Sequence, residues 1–164
     1  MVGVRAGFMT KIRETTPEQE EAFHREAESR IRQFRYETPH LAPDEVKRVS
    51  VVCESDIVTL LVQLVKNGGE NNLHYHTNSE TCWMVLRGRA RFYGLDDKLL
   101  GELGPHDGIL IPGGSRYRFE KVGGEELEIL QLVGHDKAKG PHKRINLEPK
   151  KEWMKNDQVM KAYE

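Results

Sequence analysis

The chain has 164 residues, with 25 Lys and Arg against 26 Asp and Glu, so its formal charge is −1. Near-neutrality supplies no general field for nucleic acid or an anionic membrane surface, and neither is an expected partner. A 37% hydrophobic share, concentrated mid-chain, is enough to build one core and too high for a disordered chain. No run approaches the ~20 apolar residues of a membrane span, and Met1–Thr10 carries no apolar stretch of leader length, so a cytoplasmic protein is expected. Cys53 and Cys82 lie in apolar runs outside any CxxC pattern, which predicts packed, reduced thiols.

In chain order, the first element is a helix. Thr16-Pro17-Glu18-Gln19 sets a hydroxyl at the N-cap, proline at the first helical position and glutamine where a capping box needs it. Phe23, Ala27, Ile31 and Phe34 recur at helical spacing among charges of mixed sign, which predicts one narrow face packed on the barrel or on a second subunit. After Pro39 and Pro43 the period changes to two. Apolar runs follow at 46–53, 57–65, 73–76, 81–86, 90–93, 99–103, 109–111, 117–122 and 127–133, separated by turn formers such as Asn67-Gly68-Gly69 and Pro112-Gly113-Gly114. Many short strands with no helices between them predict an all-β antiparallel sandwich or barrel. The last residues, 146–164, carry Trp153, Met154, Val159 and Met160 among lysines and predict a docked helical tail without functional content.

His74-Tyr75-His76 is the most informative tripeptide. Alternate side chains of a strand share a face, so the two imidazoles point the same way and suit one metal ion. Glu80 follows four residues after His76 and adds a carboxylate, a donor set that suits one divalent transition metal such as Fe, Mn, Ni or Zn.

The run Gly68-x5-His74-x-His76-x3-Glu80, followed by Gly88, resembles the first motif of the cupin family, and Ile111-Pro112-Gly113-Gly114 resembles part of its second motif. The resemblance covers roughly residues 46–135. It implies a small jelly-roll β-barrel whose two motifs line a cavity, commonly around a metal held by three histidines and one glutamate. Two departures stand out. Tyr117 occupies the place of the family's third histidine, and counting back from Gly88 puts Thr81 in the glutamate position, which leaves Glu80 one residue out of register unless a bulge absorbs the slip.

Three functional readings follow. The first is a metal-dependent small-molecule enzyme, an oxygenase of the cupin type, with His74, His76 and Glu80 on the ion and Tyr117 and Gln131 beside the substrate. The second is a metal-free epimerase or isomerase that uses a histidine and Tyr117 as acid and base on opposite walls. The third is a non-catalytic cupin that binds a small ligand. Strand parity points Gln131 inward, and Gln63, Trp83 and Phe119 complete the expected substrate pocket. His135 is a strand-end substitute for the missing ligand or a solvated side chain, and Asn71 and Asn72 tie down the start of the histidine strand or offer amides at the pocket mouth. Arg87, Arg89, Arg91, Arg116 and Arg118 form either a cationic rim or an outer face paired with Glu102 and Glu120. The organisation expected is an N-terminal arm at 1–45, a barrel at 46–135 and a polar tail at 136–164, with a homodimer formed through arms or edge strands.

Overall fold

The structure is a computed structural model that describes residues 15–155 and the backbone of Val159–Lys161; Met1–Thr10 lies outside the described residues. The chain forms two units, Met1–Gln33 and Phe34–Glu164. The first contains helix α1 (Pro17–Ser29), which begins with the expected capping box: Gln19 N–H donates to Thr16 Oγ1, and Thr16 N–H donates to Gln19 Oε1. Its apolar stripe is not packed. Phe23 is 65% exposed and no residue of α1 is buried, so the cap and i,i+4 pairs such as Glu21–Arg25 support the helix locally.

The second unit is built from strands β1 (Lys47–Glu54), β2 (Val58–Val65), β3 (His74–His76), β4 (Ser79–Arg87), β5 (Ala90–Tyr93), β6 (Leu99–Leu103), β7 (Gly108–Ile111), β8 (Arg118–Lys121), β9 (Leu127–His135), β10 (Arg144–Asn146) and β11 (Val159–Lys161). Six of them form one sheet in the order β11-β1-β2-β9-β4-β7. The others form a two-stranded sheet, β10-β3, and a three-stranded sheet, β6-β5-β8. An antiparallel bridge between His74 and Tyr117 links the two small sheets: His74 N–H donates to the Tyr117 carbonyl at 3.1 Å, and Tyr117 N–H returns to the His74 carbonyl at 2.9 Å. The two-layer jelly roll therefore has a second wall that runs from β10 to β6.

Between the layers lies the apolar core. Val65, Trp83, Val85, Leu127 and Ile129 from the large sheet meet Ala90, Phe92, Leu103 and Phe119 from the small one. Strict alternation in β4 decides what faces this core: Ser79, Thr81, Trp83 and Val85 are buried, whereas Glu80, Cys82 and Met84 are exposed. Cys82 is thus on the outer face, and Cys53 is only half-buried, which corrects the expectation that both thiols are packed.

The residues expected as a helical tail take another form. Arg144–Asn146 pairs with the histidine strand β3, Glu152–Lys155 is a 3-10 turn, and β11 adds to β1 in parallel. Pro149 interrupts the stretch and the apolar pairs Trp153-Met154 and Val159-Met160 are set apart by polar residues, which does not sustain one helical face, while pairing to β3 and β1 satisfies the backbone of 144–146 and 159–161 as strands.

Gly88 shows how tightly the β4–β5 turn is made. Its φ is +78°, and an added Cβ would lie 2.6 Å from the Glu126 carbonyl oxygen. Gly88→Ala is therefore expected to cost about 1–3 kcal/mol from backbone strain and the clash. Urea denaturation checks this, and an unchanged midpoint would contradict the turn geometry.

Candidate functional site

A cavity of about 300 Å³ is lined by His74, His76, Gln63, Trp83, Tyr117 and Gln131, all named in the sequence reading, among others. A second cavity of about 180 Å³ adjoins it through His76 and Gln131, with Thr81, His135 and His142 on its wall. Two of the expected residues lie elsewhere. Phe119 is fully buried in the aromatic core, 5.2 Å from Trp83 between ring centroids, and does not line either cavity. Glu80 lies on the exposed face of β4. Only Thr77 and Asn78 separate β3 from β4, and the ladder to β9 runs without a shift from Ser79 to Val85, so no bulge returns the carboxylate to the inside.

His74 is buried, and its Nδ1 lies 2.8 Å from the Asn72 carbonyl. A carbonyl only accepts, so Nδ1 carries the proton and Nε2 keeps its lone pair. Burial, reinforced by the nearby Arg144 guanidinium, lowers the His74 pKa to about 3. His76 is lowered to about 4 by burial and then by His142, whose Nε2 is 3.1 Å from His76 Nδ1. Both imidazoles are neutral at pH 7. Tyr117 is 1% exposed, its ring centroid is 4.5 Å from that of His74, and burial pushes its phenol up to about 12, so it is a neutral hydroxyl.

The floor of the larger cavity is polar. Gln63 Nε2 donates to Gln131 Oε1 at 2.6 Å, an amide pair that joins β2 to β9 across the inner face. Gln63 Oε1, Trp83 Nε1 and Tyr117 Oη are buried with no hydrogen-bond partner among the described residues. Buried polar groups are normally paired, so three such atoms around one cavity mark a place prepared for a polar guest.

The sequence reading missed the roof. Arg144, Asn146, Lys150, Trp153 and Met154 come from the stretch read as a tail, and Lys47 comes from β1. Lys47 Nζ sits 4.2 Å from the Trp153 ring centroid and donates to Asn71 Oδ1, while Arg144 donates to Asn72 and Asn146. Asn72 also donates to the Glu148 carbonyl, and Trp153 Nε1 donates to the Glu70 carbonyl, which clips the C-terminal stretch to the loop before β3. Lys47, Arg144 and Trp153 carry no motif; only the pairing of β10 with β3 would have pointed to them. None of the five arginines considered as a rim lines either cavity: Arg89 and Arg91 pair with Glu102, Arg118 with Asp97 and Glu120, Arg87 with Glu126 and Glu128, and Arg116 is exposed.

Residues 61–133 match the family model described as Cupin domain. These residues form a cupin domain. No curated protein matches the chain in sequence. Solved structures agree with the cupin assignment at the level of fold. A protein with a double-stranded β-helix domain from Klebsiella pneumoniae is 19% identical, covering 65% of this chain and 90% of that one at TM-score 0.54. A cupin superfamily protein from Desulfitobacterium hafniense is also 19% identical, covering 65% of this chain and 99% of that one at TM-score 0.53. A cupin family protein from Methanocaldococcus jannaschii is 13% identical, covering 65% and 92% at TM-score 0.52.

The metal that the cupin resemblance implies does not fit the residues present. Glu80 faces away, Tyr117 stands where the third histidine would be, and among the described residues no group of three His, Cys, Asp or Glu is arranged to hold an ion. His76 and His142 instead meet in a hydrogen bond, and His135 Nε2 is 2.9 Å from the Thr59 hydroxyl. The acid–base pair on opposite walls is not formed by His74 and Tyr117 either, because the bridge makes them cross-strand neighbours on one wall.

The lowered pKa values of the two imidazoles have a consequence for the protein's stability. In the unfolded chain His74 and His76 titrate near 6.5; in the folded chain they do so near 3 and 4. Between those values the unfolded state binds more protons, so stability is full above about pH 6.5 and falls as pH drops through that window. A loss of about 2 kcal/mol between pH 7 and 5.5 is expected by urea denaturation; constant stability over that range would contradict the burial of the pair.

Proposed function

We propose that this cupin binds a small oxygen-rich organic molecule in the 300 Å³ cavity without a coordinated metal. The observation that carries the reading is the cavity lining, in which neutral imidazoles, amides and a phenol surround a space where three buried polar atoms lack partners. The volume is at the lower end of the ~300–1,000 Å³ usual for small-molecule sites. A guest with hydroxyl or carbonyl oxygens offers both donors and acceptors to Gln131, Gln63, Tyr117 and Trp83, and the Trp83 and Trp153 rings supply flat apolar walls.

The oxygenase reading asks for an ion with open coordination positions; His74, His76, His142 and His135 follow one another by ring contact, but no three of them converge on one point among the described residues and Glu80 is turned away. The isomerase reading asks for acid and base on opposite faces of one carbon, and His74 with Tyr117 approaches from one side. Binding asks for neither.

A thermal-shift panel of sugars, sugar acids and hydroxybenzoates tests the proposal on wild type, Trp83→Phe and Tyr117→Phe, with and without EDTA. The expected result is a saturable stabilisation by at least one panel member that EDTA leaves intact and that each substitution weakens about tenfold, the effect of one lost hydrogen bond to a polar guest. Stabilisation abolished by EDTA, or no stabilisation by any member, would overturn it.

A further inference from the structure

The C-terminal stretch that roofs the cavity is fastened unevenly. β10 joins the small sheet through β3 and β11 joins the large sheet through β1, so the chain between them crosses from one sheet to the other. On this crossing Lys150, Trp153 and Met154 line the cavity. Its first part is tied down by four hydrogen bonds. Leu147 N–H donates to the Leu73 carbonyl, the Glu148 carboxylate accepts from Leu73 N–H, and the buried Asn72 amide donates to the carbonyls of Glu148 and Pro149. Residues 150–155 are held differently. The turn Glu152–Lys155 closes on itself, with Met154 N–H on the Lys151 carbonyl and Lys155 on Glu152, and the side chains that seat it are Trp153 and Met154. Trp153 Nε1 donates to the Glu70 carbonyl at 3.0 Å on one side, and its ring lies 4.2 Å from Lys47 Nζ of β1 on the other; Met154 is 6% exposed.

Resting on the binding function above, we infer that residues 150–155 are a lid over the cavity, that they swing about the fixed segment Leu147–Pro149, and that Trp153 is the latch whose release admits the guest. Opening the lid breaks one neutral hydrogen bond and one ring–ammonium contact and uncovers Met154, whereas lifting the Leu147–Pro149 segment breaks four hydrogen bonds. Segments with few buried contacts and exposed backbone open first, so the lid moves while its base stays. Lys150 and Glu152 are exposed and Lys151 and Trp153 half-buried, which leaves Met154 as the buried plug.

Thiol trapping tests the lid without a guest. Val49→Cys puts one cysteine on the cavity wall in a Cys53→Ser, Cys82→Ser background, and its alkylation by iodoacetamide reports access. Trp153→Phe keeps an aromatic ring and removes the indole N–H, and it is expected to speed alkylation about tenfold, the population shift that one lost hydrogen bond gives. Gly88→Ala, which strains the distant β4–β5 turn, is expected to lower the urea midpoint without that acceleration. An alkylation rate that Trp153→Phe leaves unchanged would overturn the lid, as would acceleration by Gly88→Ala to the same extent, because access would then follow global unfolding.

Hydrogen exchange on the unsubstituted protein gives a second readout should the cysteine variants fail to fold. Corrected for intrinsic rates, the Met154 amide is expected to exchange at least about tenfold faster than the amides of Leu73 and Leu147. Equal protection of the two segments would overturn the hinge. Neither readout uses a guest, so the failure of the lid leaves the binding function to be decided by the thermal-shift panel.

Discussion

The pair of backbone hydrogen bonds between His74 and Tyr117 is the constraint on which the site depends. It joins β3 to the start of β8, so that two sheets too narrow to cover a core become one wall facing the six-stranded sheet. The same bridge sets an imidazole against a phenol at 4.5 Å and forces both inward, since neighbouring cross-strand residues share a face. Once β3 is held there, its free edge is available to β10, and β10 brings Arg144 and Asn146 to the cavity. A C-terminal stretch without sequence signals thereby becomes the roof of the pocket.

The depth of the cavity is neutral, because burial keeps His74 and His76 unprotonated and the Tyr117 phenol intact. Lys47, Arg144 and Lys150 also contribute to its lining. The arrangement gives a transition metal little to hold, because the acidic donor of the first motif is turned to solvent.

Much of the barrel was legible because period-two patterning survives in short strands: 90–93 and 99–103 coincide with β5 and β6, and the Thr16 capping box opens α1 as read. Parity also pointed Gln131 and Trp83 inward and set the two histidines on one face, whereas Gln63, on a strand apolar on both faces, was placed in the pocket without that support. Glu80 was decided by a single residue of register, which motif counting left at either position and which the unbroken β4–β9 ladder resolves in favour of Thr81. Phe119 shared the inward parity but lies deeper than the cavity, a distinction of depth that alternation does not carry. Lys47, Arg144 and Trp153 were not legible, because they meet only through pairings between strands distant in sequence. The apolar stripe of α1 is exposed within the single chain, with Phe23 at 65%.

The account's central claim is that a small organic guest occupies the cavity beside Trp83 and beneath Trp153. The chain has only two tryptophans, so ¹⁵N-labelled protein gives two side-chain indole N–H resonances that can be followed during titration with the sugar, sugar acid or hydroxybenzoate that stabilises the protein. The account predicts that both indole signals move with one saturation curve while the guest binds. Saturable binding that leaves both indole signals in place would put the guest elsewhere and contradict it.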